Sequence, residues 1–112
     1  MSQVETIRIE IEQKKEMIAI GEAIGRIVRT RDWKKLIESE YLEKEPQRLV
    51  SLLAHPGMQD EASQKEIHNQ MLGIAYFRQF IANQLHFAEL AKQALPEDQE
   101  TEAALLAQDI QE

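Results

Sequence analysis

Residues 61–95 read EASQKEIHNQMLGIAYFRQFIANQLHFAELAKQAL, the longest run of one periodicity in the chain. Ile67, Met71, Ile74, Phe77, Ile81, Leu85, Ala88 and Ala91 recur about every third or fourth residue, which places them on one face of a helix. Asp60 is positioned to open this helix and Pro96 to end it. At 1.5 Å per residue such a helix is about 50 Å long, so the fold has to be built around it.

Upstream, Val4, Ile7, Ile11, Ile18, Gly21, Gly25 and Val28 define a second long helix, with one full heptad between Ile11 and Ile18 and Lys14 in its middle. Ser2 and Glu5 have capping-box spacing, and Glu10 with Lys14 and Glu22 with Arg26 stand four apart in the favourable order. Thr30-Arg31-Asp32 breaks the pattern, and Asp32 is placed to cap a short helix through Trp33, Leu36, Ile37 and Tyr41 that ends near Glu43. Pro46 suits the first turn of another short helix carrying Leu49, Val50, Leu52 and Leu53, stopped by His55-Pro56-Gly57. After Pro96, residues 97–112 hold six acidic residues and no basic one, with Ala103, Ala104, Leu105, Leu106 and Ile110 as a narrow apolar stripe.

The expected fold is therefore all-α. Two long amphipathic helices form an antiparallel hairpin, joined by an elbow of two short helices, with an acidic C-terminal tail helix. The helical domain covers residues 1–95, and residues 96–112 are expected as an acidic tail, a short helix that docks weakly or only on a partner. Composition agrees: 112 residues make one domain, and Gly and Pro number only 4 and 3.

The function classes narrow by exclusion. With no Cys there is no disulfide, thiolate nucleophile or Cys-based metal site, in keeping with a cytoplasmic location. The most apolar stretch, residues 17–28, is interrupted by Glu22 and Arg26, so neither a membrane span nor a signal peptide is expected. A net charge of −7 speaks against wholesale nucleic-acid binding.

Of His55, His68 and His86, only His86 has a carboxylate on the same helical face, Glu89, in the reverse of the Glu-x-x-His order that di-iron bundles use. His55 is better suited to capping a helix C-terminus than to acting as a base. The serines at 2, 39, 51 and 63 lack a nucleophile-elbow context, and no glycine-rich phosphate loop occurs. No catalytic residue, metal or cofactor is expected.

Three features are candidates for contact within the chain or with another chain. Gly21-x-x-x-Gly25, beside Ala19 and Ala23, costs about 1 kcal/mol of helix propensity per glycine. A close helix crossing, with Gly73 and Ala75 opposite, would explain the cost; a kink is the competing reading. Tyr76 and Phe80 form a stripe offset from Phe77 and Ile81, available to a partner if it is not absorbed into the core, and Leu105 and Leu106 offer a second contact on the tail. Arg26, Arg29, Arg31, Lys34 and Lys35 make the one basic cluster, a candidate anion-binding site. Two of these cations also offset the dipole at the end of the first helix, and the cluster could equally receive the acidic tail of the same or a neighbouring chain.

Leu52-Leu53-Ala54-His55-Pro56 with Met58-Gln59, and later Phe77-Arg78-Gln79-Phe80, resembles small helical proteins of unassigned role encoded by tailed bacteriophages. That resemblance covers about the middle half of the chain and implies a bacterial cytoplasm, with a role in virion assembly or in manipulating a host protein. The expected function is non-catalytic: an oligomeric helical assembly or adaptor protein that binds itself and another protein. The alternatives are an acidic inhibitor imitating nucleic acid before a DNA-processing or defence enzyme, and a small nucleic-acid module using the basic cluster.

Overall fold

The computed structural model describes residues 2–111 and is all-α. The elements are α1 (Gln3–Val28), α2 (Arg31–Trp33), a π-helical stretch (Lys34–Lys44), α3 (Glu45–Leu53), a 3-10 turn (Pro56–Met58) and α4 (Glu61–Gln111). Among the described residues there is no strand, and no helix is long and apolar enough to cross a membrane. The contacts gather into two compact units, residues 2–24 with 83–111 and residues 25–82.

In the first unit α1 begins with the capping box expected from its sequence. The Glu5 N–H donates to Ser2 Oγ (3.1 Å), and the Ser2 N–H donates back to the Glu5 carboxylate (3.4 Å). Arg8 pairs with Glu102, Lys14 with Asp98, and Gly21 lies against Ala88. As one number rises the other falls, so α1 and α4 run antiparallel here. The covered positions include the series 4, 7, 11, 14, 18 and 21 on α1 and 84, 88, 91, 95, 98, 102 and 105 on α4, with 23, 24, 94 and 106 half-buried beside them. Both series alternate steps of three and four, the seam of an antiparallel coiled coil. Leu85, expected on this seam, is exposed, and Gln84 occupies the covered position instead.

Pro96 does not end the long helix: α4 runs through it to Gln111. A proline inside a helix withholds the N–H that the Lys92 carbonyl would accept and crowds that carbonyl, at a cost of about 3 kcal/mol. Tertiary contact offsets the loss. Asp98 and Glu102 carry the seam past the proline and pair with Lys14 and Arg8, while Leu105 and Leu106 are half-buried. The expected boundary at residue 96 is thus the interior of a helix.

The second unit begins with the last turn of α1, and its next helix is capped by Thr30. Thr30, with φ −70° and ψ 149°, is extended, and its Oγ1 accepts the Trp33 N–H (3.2 Å) while donating to the Ile27 carbonyl (2.7 Å). It, rather than Asp32, is the cap, because a capping residue has to stand outside the helix and Asp32 already lies in the first turn. From Arg31 to Leu53 the chain stays helical without a break. Lys44 and Glu45 both have right-handed helical dihedrals, so the expected interruption between Glu43 and Pro46 is absent. Between them the helix widens: the Glu45 N–H bonds the Glu40 carbonyl, five residues back. Half-buried Trp33 and Ile37 stand four apart, and from Ile37 both Tyr41, four on, and Leu42, five on, are half-buried, in keeping with a wider helix.

Pro46 has no N–H for the Leu42 carbonyl four residues before it, and the Arg78 guanidinium donates to that carbonyl instead. Leu49, fully buried, packs with Ile67 and Ile74, surrounded by Tyr41, Leu42, Leu52, Leu53, Met58 and Met71. Side-chain amides close the turn: Gln59 donates to the Leu53 and His55 carbonyls (2.9 and 2.7 Å), and Gln64 to those of Leu53 and Met58 (3.1 and 2.8 Å). Both amides serve the last carbonyl of α3, that of Leu53, and His55 has another task than the C-terminal cap expected of it. Its Nδ1 accepts the Gly57 N–H (3.0 Å) and starts the 3-10 turn.

Candidate protein-binding surface

The aromatic residues of the second unit divide according to the helix face they occupy. Phe77 points inward, stacked on Trp33 (centroids 6.1 Å apart, planes 29° apart) and edge-on to Tyr41 (5.7 Å, 86°). Packing Phe77 inward turns its neighbours outward, because adjacent residues on a helix point about 100° apart. Leu72, Tyr76 and Phe80 therefore form a ridge at four-residue spacing, and they are 50, 63 and 57% exposed. Three large apolar side chains aligned on one turn-by-turn stripe are a different matter from scattered surface leucines, which need no explanation.

In the first unit a shallow apolar groove lies beside the α1–α4 seam, formed by Met17 of α1 and Phe87, Leu90 and Ala94 of α4, with Glu10 and Lys14 at its edge. Leu105 lines a neighbouring groove with Ile7 and Thr101, and Leu106 is half-buried beside it in sequence. Leu105 thus turns part of its surface to the chain's own α1.

The glycines separate. An ideal Cβ on Gly21 would stand 2.4 Å from the Ala88 Cβ, so here the α1 and α4 backbones approach as only a glycine permits. Gly25 has just the tip of the Arg29 side chain near it (3.3 Å), and Gly73 has nothing within 4 Å. The residue set against the small-residue patch is therefore Ala88, not Gly73. No reading of α1 alone could have chosen between them, since Gly73 and Ala88 are both small residues of the same helix.

The five cations Arg26, Arg29, Arg31, Lys34 and Lys35 are all exposed, and none forms an ion pair among the described residues. Elsewhere proton affinities shift through local helical pairs. The hydrogen bond from Arg48 lowers the Glu45 pKa, and Glu45 in turn holds the Arg48 proton more tightly. Glu40 does the same for Lys44. Asp60, accepting from Ser63, is held below the usual carboxylate value. These are surface and capping interactions, and none converges with a second titratable group on a concave site.

Nor do the histidines gather. His68 shares its Nδ1 with the Gln64 carbonyl on its own helix (2.8 Å), and the His86 ring lies beside that of Phe87 (6.3 Å). Among the described residues no group of three or more His, Asp or Glu side chains could hold a metal ion.

No protein-family model, curated protein or solved structure matches this chain. Its chemistry is therefore read from its own surfaces: an apolar ridge, an apolar groove and an unpaired basic cluster.

Proposed function

We propose that this chain is a non-catalytic interaction protein, an oligomeric helical assembly or adaptor factor of the cytoplasm that binds itself and a second protein. In the second unit the outer face of α4 presents the contact surface, and in the first the acidic tail pairs with α1. On the resemblance to small phage proteins, the process served is virion assembly. The observation that carries the reading is the Leu72–Tyr76–Phe80 ridge. Burying the remaining half or so of each of these three side chains is worth on the order of 1 kcal/mol apiece, and a helix ridge of that spacing fits an apolar groove on another protein.

The nucleic-acid-mimicking inhibitor is the weaker alternative. It asks for spaced carboxylates along an open face, and the tail commits Asp98 and Glu102 to Lys14 and Arg8. The test is affinity capture from the native cells at low and high salt, with the wild type compared with Tyr76→Ala/Phe80→Ala. Capture that survives high salt and disappears in the double variant supports the ridge. Equal capture by both proteins would refute it, and salt-sensitive capture of a DNA-processing enzyme would favour the inhibitor.

A further inference from the structure

The first unit covers few large side chains for its length. Among the described residues its buried apolar positions are Ile7, Ile11, Ala88 and Ala91, two isoleucines and two alanines for a pair of long helices. Helices are held by the packing of their apolar faces far more than by propensity, so this pair has burial still to find. The surface area agrees. The chain exposes 8327 Å², against about 6,300 Å² for a folded monomer of its 13.0 kDa. That excess, about 2,000 Å², is larger than the roughly 800 Å² per partner that an interface of standard size covers.

The two grooves of this unit share Glu10 and run along one side of the α1–α4 hairpin. Thirteen residues line them, of which only Glu10 and Lys14 are charged, and Lys14 is engaged by Asp98. The neighbouring face of α1 is the reverse, with Arg8, Glu12 and Glu16 around Ile9. At a net −7 per chain, charged faces repel a second copy, and the charge-poor side is the one on which two copies can meet. That side also holds both halves of a contact. Met17, Phe87 and Leu90, which are 42, 45 and 49% exposed, stand up as knobs, while Ala91 and Ala94 give a floor with nothing beyond Cβ. We propose that this groove seats a second copy of this chain. Two hairpins meet groove to groove about a two-fold axis, the knobs of each resting on the alanines of the other in a four-helix layer. Because one patch serves both copies, the contact closes within the first unit alone. The proposal rests on the interaction-protein reading above and names the surface by which the chain binds itself.

The test is sedimentation over a range of concentrations for the wild type, Leu90→Glu, Leu90→Lys, an equal mixture of those two variants, and Leu85→Glu. Leu85 is 42% exposed, much like Leu90, but stands about 140° round α4 from it, away from the groove. The wild type is expected at twice the 13.0 kDa chain mass. Each change at Leu90 should weaken the dimer at least about tenfold by setting like charges in a closed contact, the mixture should restore it, and Leu85→Glu should leave it unchanged. The mixture separates pairing from folding, since a chain that fails to fold is not rescued by an equally substituted partner. A wild type that stays at one chain mass or exceeds two, a dimer indifferent to the Leu90 changes, an equal loss in Leu85→Glu, or a mixture that stays monomeric would overturn the proposal. A monomer that captures another protein through Leu90 would do so as well, and would assign the groove to a foreign helix. Capture through Tyr76 and Phe80 is scored separately: a dimer that captures nothing refutes the ridge and leaves the pairing, and a monomer that still captures through the ridge refutes only the pairing.

Discussion

Lys14 and Asp98 meet across the α1–α4 seam at positions that are otherwise mostly apolar, and their side chains are only 24 and 17% exposed. A charged pair in a coiled-coil seam adds little net stability, because desolvation offsets attraction, but it penalises every register that separates the two charges. Lys14→Ala or Asp98→Ala should each cost about 1–3 kcal/mol by leaving the other charge covered and alone. Replacing both by Leu should recover most of that stability in urea titration while broadening the amide spectrum as alternative registers appear. Additive losses in the double-mutant cycle would show that the pair is not coupled.

The three helical glycines should respond to alanine with different signs. Gly21→Ala puts a methyl into the Ala88 Cβ, and because neither atom can swing aside, the helices must separate; a net loss of about 1–2 kcal/mol is expected. Gly73→Ala meets open space and should gain about 0.5–1 kcal/mol of helix propensity. Gly25→Ala displaces only the flexible end of Arg29 and should be neutral or slightly stabilising. Thermal unfolding of the three variants decides, and a stabilised Gly21→Ala would contradict the close approach.

Pro96→Ala restores a backbone donor to the Lys92 carbonyl within a helix that is already continuous. Stability should rise by roughly 1–3 kcal/mol with helix content unchanged. If helix content instead increased by the length of the tail, residues 97–111 would be unwound in the parent protein.

Asp60 caps α4 by accepting the Ser63 N–H at 3.0 Å, and the hydrogen bonds from Ser63 lower its pKa from the usual 3.8. A lowered folded value means the cap contributes fully above about pH 4 and that the contribution fades as pH falls through the folded value. Asp60→Asn keeps an acceptor but does not titrate, so the stability difference between it and the wild type should shrink or reverse between pH 5 and about pH 2. A difference that does not vary with pH would rule out this linkage.

Periodicity, composition and capping residues made the all-α class, the two long helices, the Ser2 and Asp60 caps and much of the covered face legible, because helix formation and amphipathicity are local properties of residues three and four apart. Even the heptad occupied by Lys14 stood out as a gap. Its meaning did not, since Asp98 lies 84 residues away and nothing in either stretch names the other. The same holds for Pro96, whose local preference to end a helix is overridden by contacts from α1, and for Pro46, where Arg78 supplies the donor the proline lacks. Which small residue meets Gly21 was likewise decided by packing, whereas Phe77 turns inward as its place on the periodic face had indicated. Local energies of a kcal/mol or so per residue write the helices, whereas pairing and register come from contacts between residues far apart in the chain, and those only the folded structure brings together.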